Sequence, residues 1–576
     1  MKTHSVATLL CAVCIGSFLC TEGQVLAQAL PPECETTGIA GVLRVSSTNP
    51  RYFTNDCGKA IYMTGSHTWN NFPDMDDVYP PENEPFDFAH YLNFLDQYNH
   101  NFIRLWAWEG PFPNNADRYV RRVWAGPQPW LRTGPGNDNT GHLKFNLSQW
   151  NQAYFDRLRQ RVSQAQARGK FVAIMLFEGW ELQFAPGAFS HPFNSVNNVS
   201  GISYGSSLTN IHTLNVPAIT AIQEEYVRRV IDSVNDLDNV LYEIANEPGG
   251  TYSTPWEYHM IQFIKQYEAT KPKRHPVGMT YQYADGVNSA LFNSTAEWIS
   301  PGSEPSALYD SNPPVNNGSK VIFNDTDHLG GSAFGDRSWV WKSFTRGLNT
   351  LFMDRYDLPH SITNGPISTG IEIRQAMGNT LAYSRRMDFL HTVPSTSIAS
   401  TSYALVSSSE CLVYSPFSSF TVNLQSFSGT LDVEWFNPAT QQTTLAGTVV
   451  GGATRTFQSP FGGDAVLYLD YPGIADAPSP GPASRAYALY EPVPNPANPV
   501  SHIRYDLPVA AHVRIDVYDL SGRKVAELLN RTVPAGSWEV GWDGTAINGG
   551  RVSSGVWFVR MTAGGHSFSR KLILLK

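Results

Sequence analysis

Eight short apolar runs, spaced through the first 388 residues, constrain this chain more than any other feature. They lie at 60–63, 101–106, 170–177, 240–245, 276–280, 296–299, 320–323 and 350–353. Most alternate with stretches whose apolar residues recur at helical spacing. One such stretch covers 86–98, with Phe88, Tyr91, Leu92 and Leu95 on one side; others cover 149–167, 256–269, 339–346 and 370–388. Another opens at Pro217 and carries Ile219, Ile222, Tyr226, Val230 and Ile231 on one face. Strand–helix alternation requires a parallel sheet, and eight strands allow that sheet to close. The expected fold is α/β, a (β/α)8 barrel over 35–388. Two polar, Pro- and Gly-rich insertions, at about 109–145 and 183–214, follow the second and third strands and should roof one side of the barrel mouth.

Barrel chemistry sits where strands end. The fourth run ends in Asn246-Glu247-Pro248, and Pro248 cannot donate to a ladder, so the strand stops there. A Glu at that exit is either a catalytic group or a cap for the next helix. The seventh run ends at Asp325 and Asp327. Glycosidic bonds are usually cut by two carboxyls, one giving its proton to the leaving oxygen and one facing the anomeric carbon. Glu247 with Asp325 or Asp327 meets that need. Trp69, Asn70, Trp106, Trp108, Trp180, Tyr281 and Trp298 lie at or just past strand ends, where flat faces and indole N–H groups suit sugars. Each aromatic is equally readable as core. Glu178, Asp354 and His328 also end or follow strands, as sugar-binding or loop-bracing groups.

The 576 residues exceed one ordinary domain. After 388 the chain turns rich in Ser, Thr, Val and Gly with alternating patterns, which read as an antiparallel β-sandwich over 389–472. Pro478, Pro480 and Pro482 mark a linker over 473–490, and a second all-β module follows over 491–576. Residues 1–27 read as a secretory signal. Of the six Cys, three fall in that signal; Cys34 and Cys57 could pair across an N-terminal hairpin, leaving Cys411 single. No Cys or His cluster has metal spacing, so no metal or cofactor is expected. A net charge of −9 with no basic block argues against nucleic acid as partner, and no later run is long enough for a transmembrane segment.

With these residues in view, the barrel resembles clan A glycoside hydrolases, within them the secreted cellulase-like or apiosidase-like group that carries a domain of unknown function. Asn246-Glu247-Pro248 matches the clan's fourth-strand motif, which implies Glu247 as acid/base. Arg104 in NFIRLW matches its second-strand Arg, and VIFNDTDHLGG with DRSWVWKSFTRG is similar to the subgroup around strand seven. Arg104 is expected either to contact substrate or to form a structural ion pair, and Asn246 is placed to donate to a sugar 2-hydroxyl, where a hydrogen bond strengthens in the transition state. One departure stands out: the clan places Glu where this chain has Asp325, one methylene shorter. Retaining sites hold their carboxyls about 5–5.5 Å apart and inverting ones about 6.5–9.5 Å, so both outcomes stay open, with retention implied by analogy. Asp325 is expected as nucleophile, ionised beside Arg104, with Asp327 as its rival and Glu247 holding its proton.

The module at 389–472 resembles a collagen-binding-type domain that commonly follows such barrels, read here as a packing partner. The C-terminal module, with VYDLSGRKV, GVWFVRM and RKLILLK, is similar to FlgD-type immunoglobulin-like and type IX secretion sorting domains. That implies export by secretion and sorting machinery, to the medium or the outer cell surface. The expected function is a secreted glycoside hydrolase acting on a polysaccharide or oligosaccharide. The alternative is a non-catalytic carbohydrate-binding or adhesion protein on a degenerate barrel.

Overall fold

A computed structural model describes residues 30–76, 85–112, 124–183, 185–329, 336–354, 356, 370–471, 487–497, 501–508, 511–533, 536–547 and 550–575. The expected signal and most of the expected linker lie outside the described residues. Eight parallel strands form one sheet: β1 (Gly65–His67), β2 (Phe102–Leu105), β3 (Phe171–Glu178), β4 (Val240–Asn246), β5 (Val277–Thr280), β6 (Trp298–Ser300), β7 (Val321–Asp325) and β8 (Asn349–Met353). Helices α1 (Phe88–Gln97), α2 (Gln152–Ala167), α3 (Pro217–Val234), α4 (Thr254–Glu268) and α5 (Asn288–Asn293) follow the first five strands. Helices α6 (Arg337–Thr345) and α7 (Ile371–Arg386) follow β7 and β8.

Seven strand pairs hydrogen-bond in parallel register, running from β1 through β8 round to β2. Side-chain amides complete the join between β1 and β2. The Asn101 amide accepts from Thr64 N at 2.9 Å and donates to Tyr62 O at 2.9 Å. At the other end Asn71 donates to Arg104 O at 2.6 Å and accepts from Trp106 N at 2.8 Å. A Cβ at Gly65 would lie 1.9 Å from the Phe102 carbonyl oxygen, so only glycine lets β1 close on β2. The ladder thus begins later than the expected 60–63, in a stretch (Gly65-Ser66-His67) with no β-branched residue to announce it.

Alternation along β3 shows how the barrel is filled. Val172, Ile174 and Leu176 face the helices, while Phe171 and Ala173 join Phe102, Leu241, Trp298, Val321, Phe323 and Leu351 inside the cylinder. The first insertion, read only as a polar, Pro- and Gly-rich stretch, has strands of its own. It contains a hairpin, Trp130–Asn137 paired with Leu143–Trp150, whose second strand runs into the region expected to start a helix at 149. The Gly134-Pro135-Gly136 run inside the first hairpin strand hid it. Trp124–Gly126 pairs with Asp74–Asp76, and Trp130, Phe145, Leu147, Leu182, Phe193 and Ile211 give the insertions a core of their own.

A six-stranded antiparallel sheet over 393–470, backed by a two-stranded one, follows the barrel. Leu412, Tyr414, Phe436, Val466 and Tyr468, on the face turned away from that smaller sheet, belong to the same apolar core as Trp341 and Tyr383. Arg386 at the end of α7 holds both Glu434 oxygens, at 2.9 and 2.8 Å. The last module has a separate core that includes Ile503, Val513, Ile515, Val559 and Leu572. Cys34 and Cys57 are disulfide-bonded, and Cys411 is buried and free. No described helix is long and apolar enough to cross a membrane.

Candidate active site

Arg104 on β2 projects into the barrel mouth and is almost fully buried, so each of its N–H groups needs an acceptor. Its Nε and Nη2 grip Glu243 on β4 at 2.9 and 2.6 Å. Nη2 also donates to Asn246 Oδ1 at 2.8 Å. Nη1 donates to Asp325 at 2.9 Å and to Asp327 at 3.2 Å. One cation therefore ties the ends of β4 and β7 together. Glu243 went unremarked at the sequence level, yet a lone charge inside an apolar strand signals a buried partner.

The two β7 carboxyls have different surroundings. Asp325 has 0% side-chain exposure. One of its oxygens takes the Arg104 bond; the other accepts from Asp327 N at 3.1 Å and meets His67 Nε2 at 3.0 Å. Burial pushes this carboxyl up, but His67 and Arg104 outweigh it and hold it far below the ordinary range. Asp327 keeps 12% of its side chain exposed. Burial, opposed by Arg104 and reinforced by Asp325, pushes its carboxyl up to about 6. Of the two candidates for nucleophile, the expected Asp325 and its rival Asp327, the second has the more exposed side chain. Asp325 is held by the scaffold, as cap of the short Thr326–His328 turn, and Asp327 is the accessible acid.

Glu247 leaves β4 with φ of +40°, in the left-handed region that non-glycine residues seldom occupy. Neighbours hold that backbone in place. Gln183 donates to Glu247 O at 3.2 Å, Gly179 N donates to Asn246 O at 2.8 Å, and Tyr283 N donates to Pro248 O at 2.9 Å. A Cβ at Gly179 would stand 2.4 Å from Pro248 Cα. Strain kept at one residue by its surroundings is typical of functional positions. Burial, Asp327 and Glu178 together keep the Glu247 carboxyl well above the ordinary range, against Arg104.

Asn246 is oriented by its partners. Arg104 has only donors, so the amide oxygen must face it, and the amide nitrogen then reaches Glu178 at 3.2 Å. One of its two N–H bonds is used there. His328 Nε2 lies 3.1 Å from the same amide oxygen and Nδ1 lies 2.7 Å from Ser300 Oγ. Burial and Arg104 push His328 down to about 3. It is therefore neutral, donating to Asn246 and accepting from Ser300: a brace for Asn246, not the sugar contact expected of it. Glu178 also accepts from Trp180 N and Glu181 N at 3.0 and 2.9 Å, and burial pushes it up to about 8.

Trp69 and Trp180 are half-buried and stack with centroids 6.2 Å apart. Trp108 sits edge-on to Trp69 at 6.1 Å and donates its indole N–H to Trp69 O. Trp106 is deeper, stacked against His67 at 5.7 Å, and is a wall behind the site. Asn70 is buried in the loop after β1, accepting from Thr68 Oγ1 at 3.2 Å. Trp298 does not reach the cleft. It is the first residue of β6, at the opposite end of the cylinder, and packs edge-on to Phe323 at 5.2 Å. In the sequence it reads as a strand-end residue because β6 starts two residues later than the apolar run. Tyr281 donates its hydroxyl to Gly286 O at 2.6 Å and braces its own loop. Asp354 is paired with Arg374 at 2.7 and 2.5 Å, a structural ion pair. No group of three or more His, Cys, Asp or Glu among the described residues is arranged to hold a metal ion.

Comparisons with known proteins complete the description. A family model described as a secretion system C-terminal sorting domain matches residues 493–575. It marks the chain as one destined for secretion or the cell surface, with the secretion machinery as partner. Among solved structures, the chain is similar to a protein titled "Glycoside hydrolase" at 14% identity, over 75% of this chain and 97% of that one, with a TM-score of 0.48. It is also similar to a glycoside hydrolase family 5 protein from Bacteroides vulgatus ATCC 8482 at 12% identity, over 77% and 95%, TM-score 0.49. A third is a glycoside hydrolase family 5 mannosidase from Rhizomucor miehei, a mutant in complex with mannosyl-fructose, at 13% identity over 60% and 98%, TM-score 0.39. A search of curated proteins found no match.

Proposed function

We propose that this protein is a secreted glycoside hydrolase that cleaves O-glycosidic bonds in a polysaccharide or its side chains. The observation that carries the reading is the pairing of Glu247 and Asp327. They follow two strands of one barrel, β4 and β7; Asp327 raises the Glu247 carboxyl, Asp325 raises both, and Arg104 lies between their strands and opposes both shifts. Near neutral pH Glu247 holds a proton for the glycosidic oxygen, while Asp327, with a value of about 6, is ionised and faces the anomeric carbon as nucleophile or as base for a water. Asp325 keeps Arg104 and His67 in position. The remaining Asn246 N–H suits a sugar 2-hydroxyl, and Trp69 and Trp180 offer faces to a sugar ring.

The rival reading, a binding protein on a barrel without chemistry, draws on the sequestration of Asp325. The accessible Asp327 two residues on answers it, because it restores a second carboxyl to the mouth. Export through the sorting domain would place the activity in the medium or on the outer surface, with the β-sandwich serving as a packing partner of the barrel. The test is a glycan panel with the full chain and its Glu247→Gln variant. Hydrolysis by the parent and a loss of roughly 10²–10⁴-fold in the variant is expected; undiminished activity in Glu247→Gln would refute the acid assignment.

A further inference from the structure

Glu109 stands just past β2, at the start of the first insertion, and takes no part in the chemistry assigned above. Only 9% of its side chain is exposed. A carboxylate so placed needs donors at both oxygens. His212 Nε2 reaches Oε1 at 2.6 Å, and Glu178 N donates to the same oxygen at 3.0 Å. His191 Nε2 lies 3.3 Å from Oε2. The hydrogen on His191 is located by its other nitrogen: Nδ1 accepts from Phe193 N at 3.0 Å, so Nε2 is the donor to Glu109. Burial pushes the Glu109 carboxyl up, but the two imidazoles outweigh it and hold it down to about 2, so both oxygens act as acceptors.

The two imidazoles belong to one segment. His191 and His212 are both buried in the second insertion, and His212 lies flat on Trp256 of α4, with ring centroids 4.3 Å apart. That insertion is also stitched to the hairpin of the first: Phe145 N donates to Asn197 O at 2.8 Å, and Val199 N donates to Phe145 O at 2.9 Å. Glu109 thus fastens both insertions to Glu178, the last residue of β3. The Glu178 carboxylate in turn receives the Asn246 amide at 3.2 Å. A second route runs beside the first, from Gly110 N to Glu181 Oε1 at 2.7 Å and from Glu181 N to Glu178 at 2.9 Å.

Arg104 and His328 fix the oxygen of Asn246, and Glu178 fixes the direction of its N–H groups. An amide that must meet a sugar hydroxyl is sensitive to small displacements, because misplacement by about 1 Å can cost on the order of a hundredfold in rate. We propose that Glu109 is a positioning residue of the glycosidase site: gripped by His191 and His212, it sets Glu178 and through it the amide of Asn246. The two insertions are then a brace for the sugar contact as well as a wall of the cleft. The inference rests on the glycosidase reading given above.

The test uses the full chain on the glycan it cleaves best. Glu109→Gln turns one acceptor oxygen into a donor that faces N–H groups, and should lower kcat on the order of tenfold with KM near the parent value. His212→Phe keeps a ring on Trp256 but loses the N–H, and should reproduce the fall; His212→Gln restores an N–H and should recover most of it. The effect runs through Asn246, so the Glu109→Gln/Asn246→Ala double variant should be no slower than Asn246→Ala alone. Parent-like kcat in a Glu109→Gln chain with an unchanged thermal transition, or losses that multiply in the double variant, overturns the positioning role and leaves the glycosidase reading intact. If Glu109→Gln does not fold, equal rates in His212→Phe and His212→Gln overturn it. A parent chain that cleaves nothing in a glycan panel overturns the glycosidase reading, and the positioning role with it.

Discussion

At the scale of single residues, the site is a problem of sharing too few positive charges among too many acids. Arg104 is committed to Glu243 through two bonds and to Asp325 through a third, so what remains for Asp327 is a longer contact at 3.2 Å. Glu247 has no cation of its own among these bonds and lies in the field of Asp327 and Glu178. Among the carboxyls that burial and like charges push up, Glu247 and Asp327 are the two that reach the mouth. This has a definite signature in a pH–rate profile. Asp327 must be ionised, so kcat/KM should rise as pH rises through about 6. Glu247 must be protonated and is raised, so kcat/KM should fall again at higher pH, and because the groups interact the limbs belong to the pair. The residual activity of Asp327→Asn should lack the acid limb. A profile flat from about pH 5 to about pH 7 would contradict this assignment. The choice between Asp325 and Asp327 was beyond the sequence, since both follow the same apolar run. What separates them is the His67 ring arriving from β1, a contact between residues 258 positions apart.

At the scale of elements, each strand end carries its side chains to the mouth only because the cylinder closes. The join of β1 with β2 depends on Gly65, Asn101 and Asn71, and it fixes the height of His67 and Arg104 against β7. Gly65→Ala would push a methyl into the Phe102 carbonyl and should destabilise the barrel by about 3 kcal/mol, with activity lost in parallel. Thermal unfolding of the variant measures it, and a parent-like transition would show that the join has slack. Strands β2 to β5, β7 and β8 were legible within a residue or two because they are apolar runs with clear stops. Strand β1 was misplaced because Gly65, Ser66 and His67 owe their positions to barrel geometry, which no local propensity reports. The Trp130–Trp150 hairpin was missed for a similar reason: its pairing is broken by irregular register, and its apolar residues serve a local core that only the folded insertions create. The left-handed backbone at Glu247 left no trace in the sequence either, since Asn246-Glu247-Pro248 gives no residue that favours it.

At the scale of the whole molecule, the three modules are joined in two different ways. The barrel and the sandwich share one apolar core, with Trp341 stacked against Tyr414 at 6.4 Å and Tyr383 edge-on to Phe436 at 5.8 Å, and with Arg386 and Arg337 reaching Glu434 and Asp464. The sorting module is built around its own core. Ending the chain at residue 471 should therefore leave the barrel's calorimetric transition in place. Ending it at residue 388 should lower that transition and expose the Trp341 face, with aggregation as the outcome. Equal transitions for both truncations would mean that the sandwich is an appendage. This partition was partly visible in the composition change after residue 388, but the shared core was not: strands 410–415 and 465–470 are buried along their whole length, one face inside the sandwich and the other against the barrel, and nothing local says what covers the second face.

The central claim is a division of labour, with the proton supplied by Glu247 and the negative charge by Asp327. Initial release of fluoride from a glycosyl fluoride measures it most directly, because fluoride leaves without needing a proton. Glu247→Gln should keep fluoride release near the parent rate while losing roughly 10²–10⁴-fold on the oligosaccharide of the same glycone. Asp327→Asn should lose both. Equal losses on the two substrates in Glu247→Gln, or parent-like fluoride release in Asp327→Asn, would contradict it.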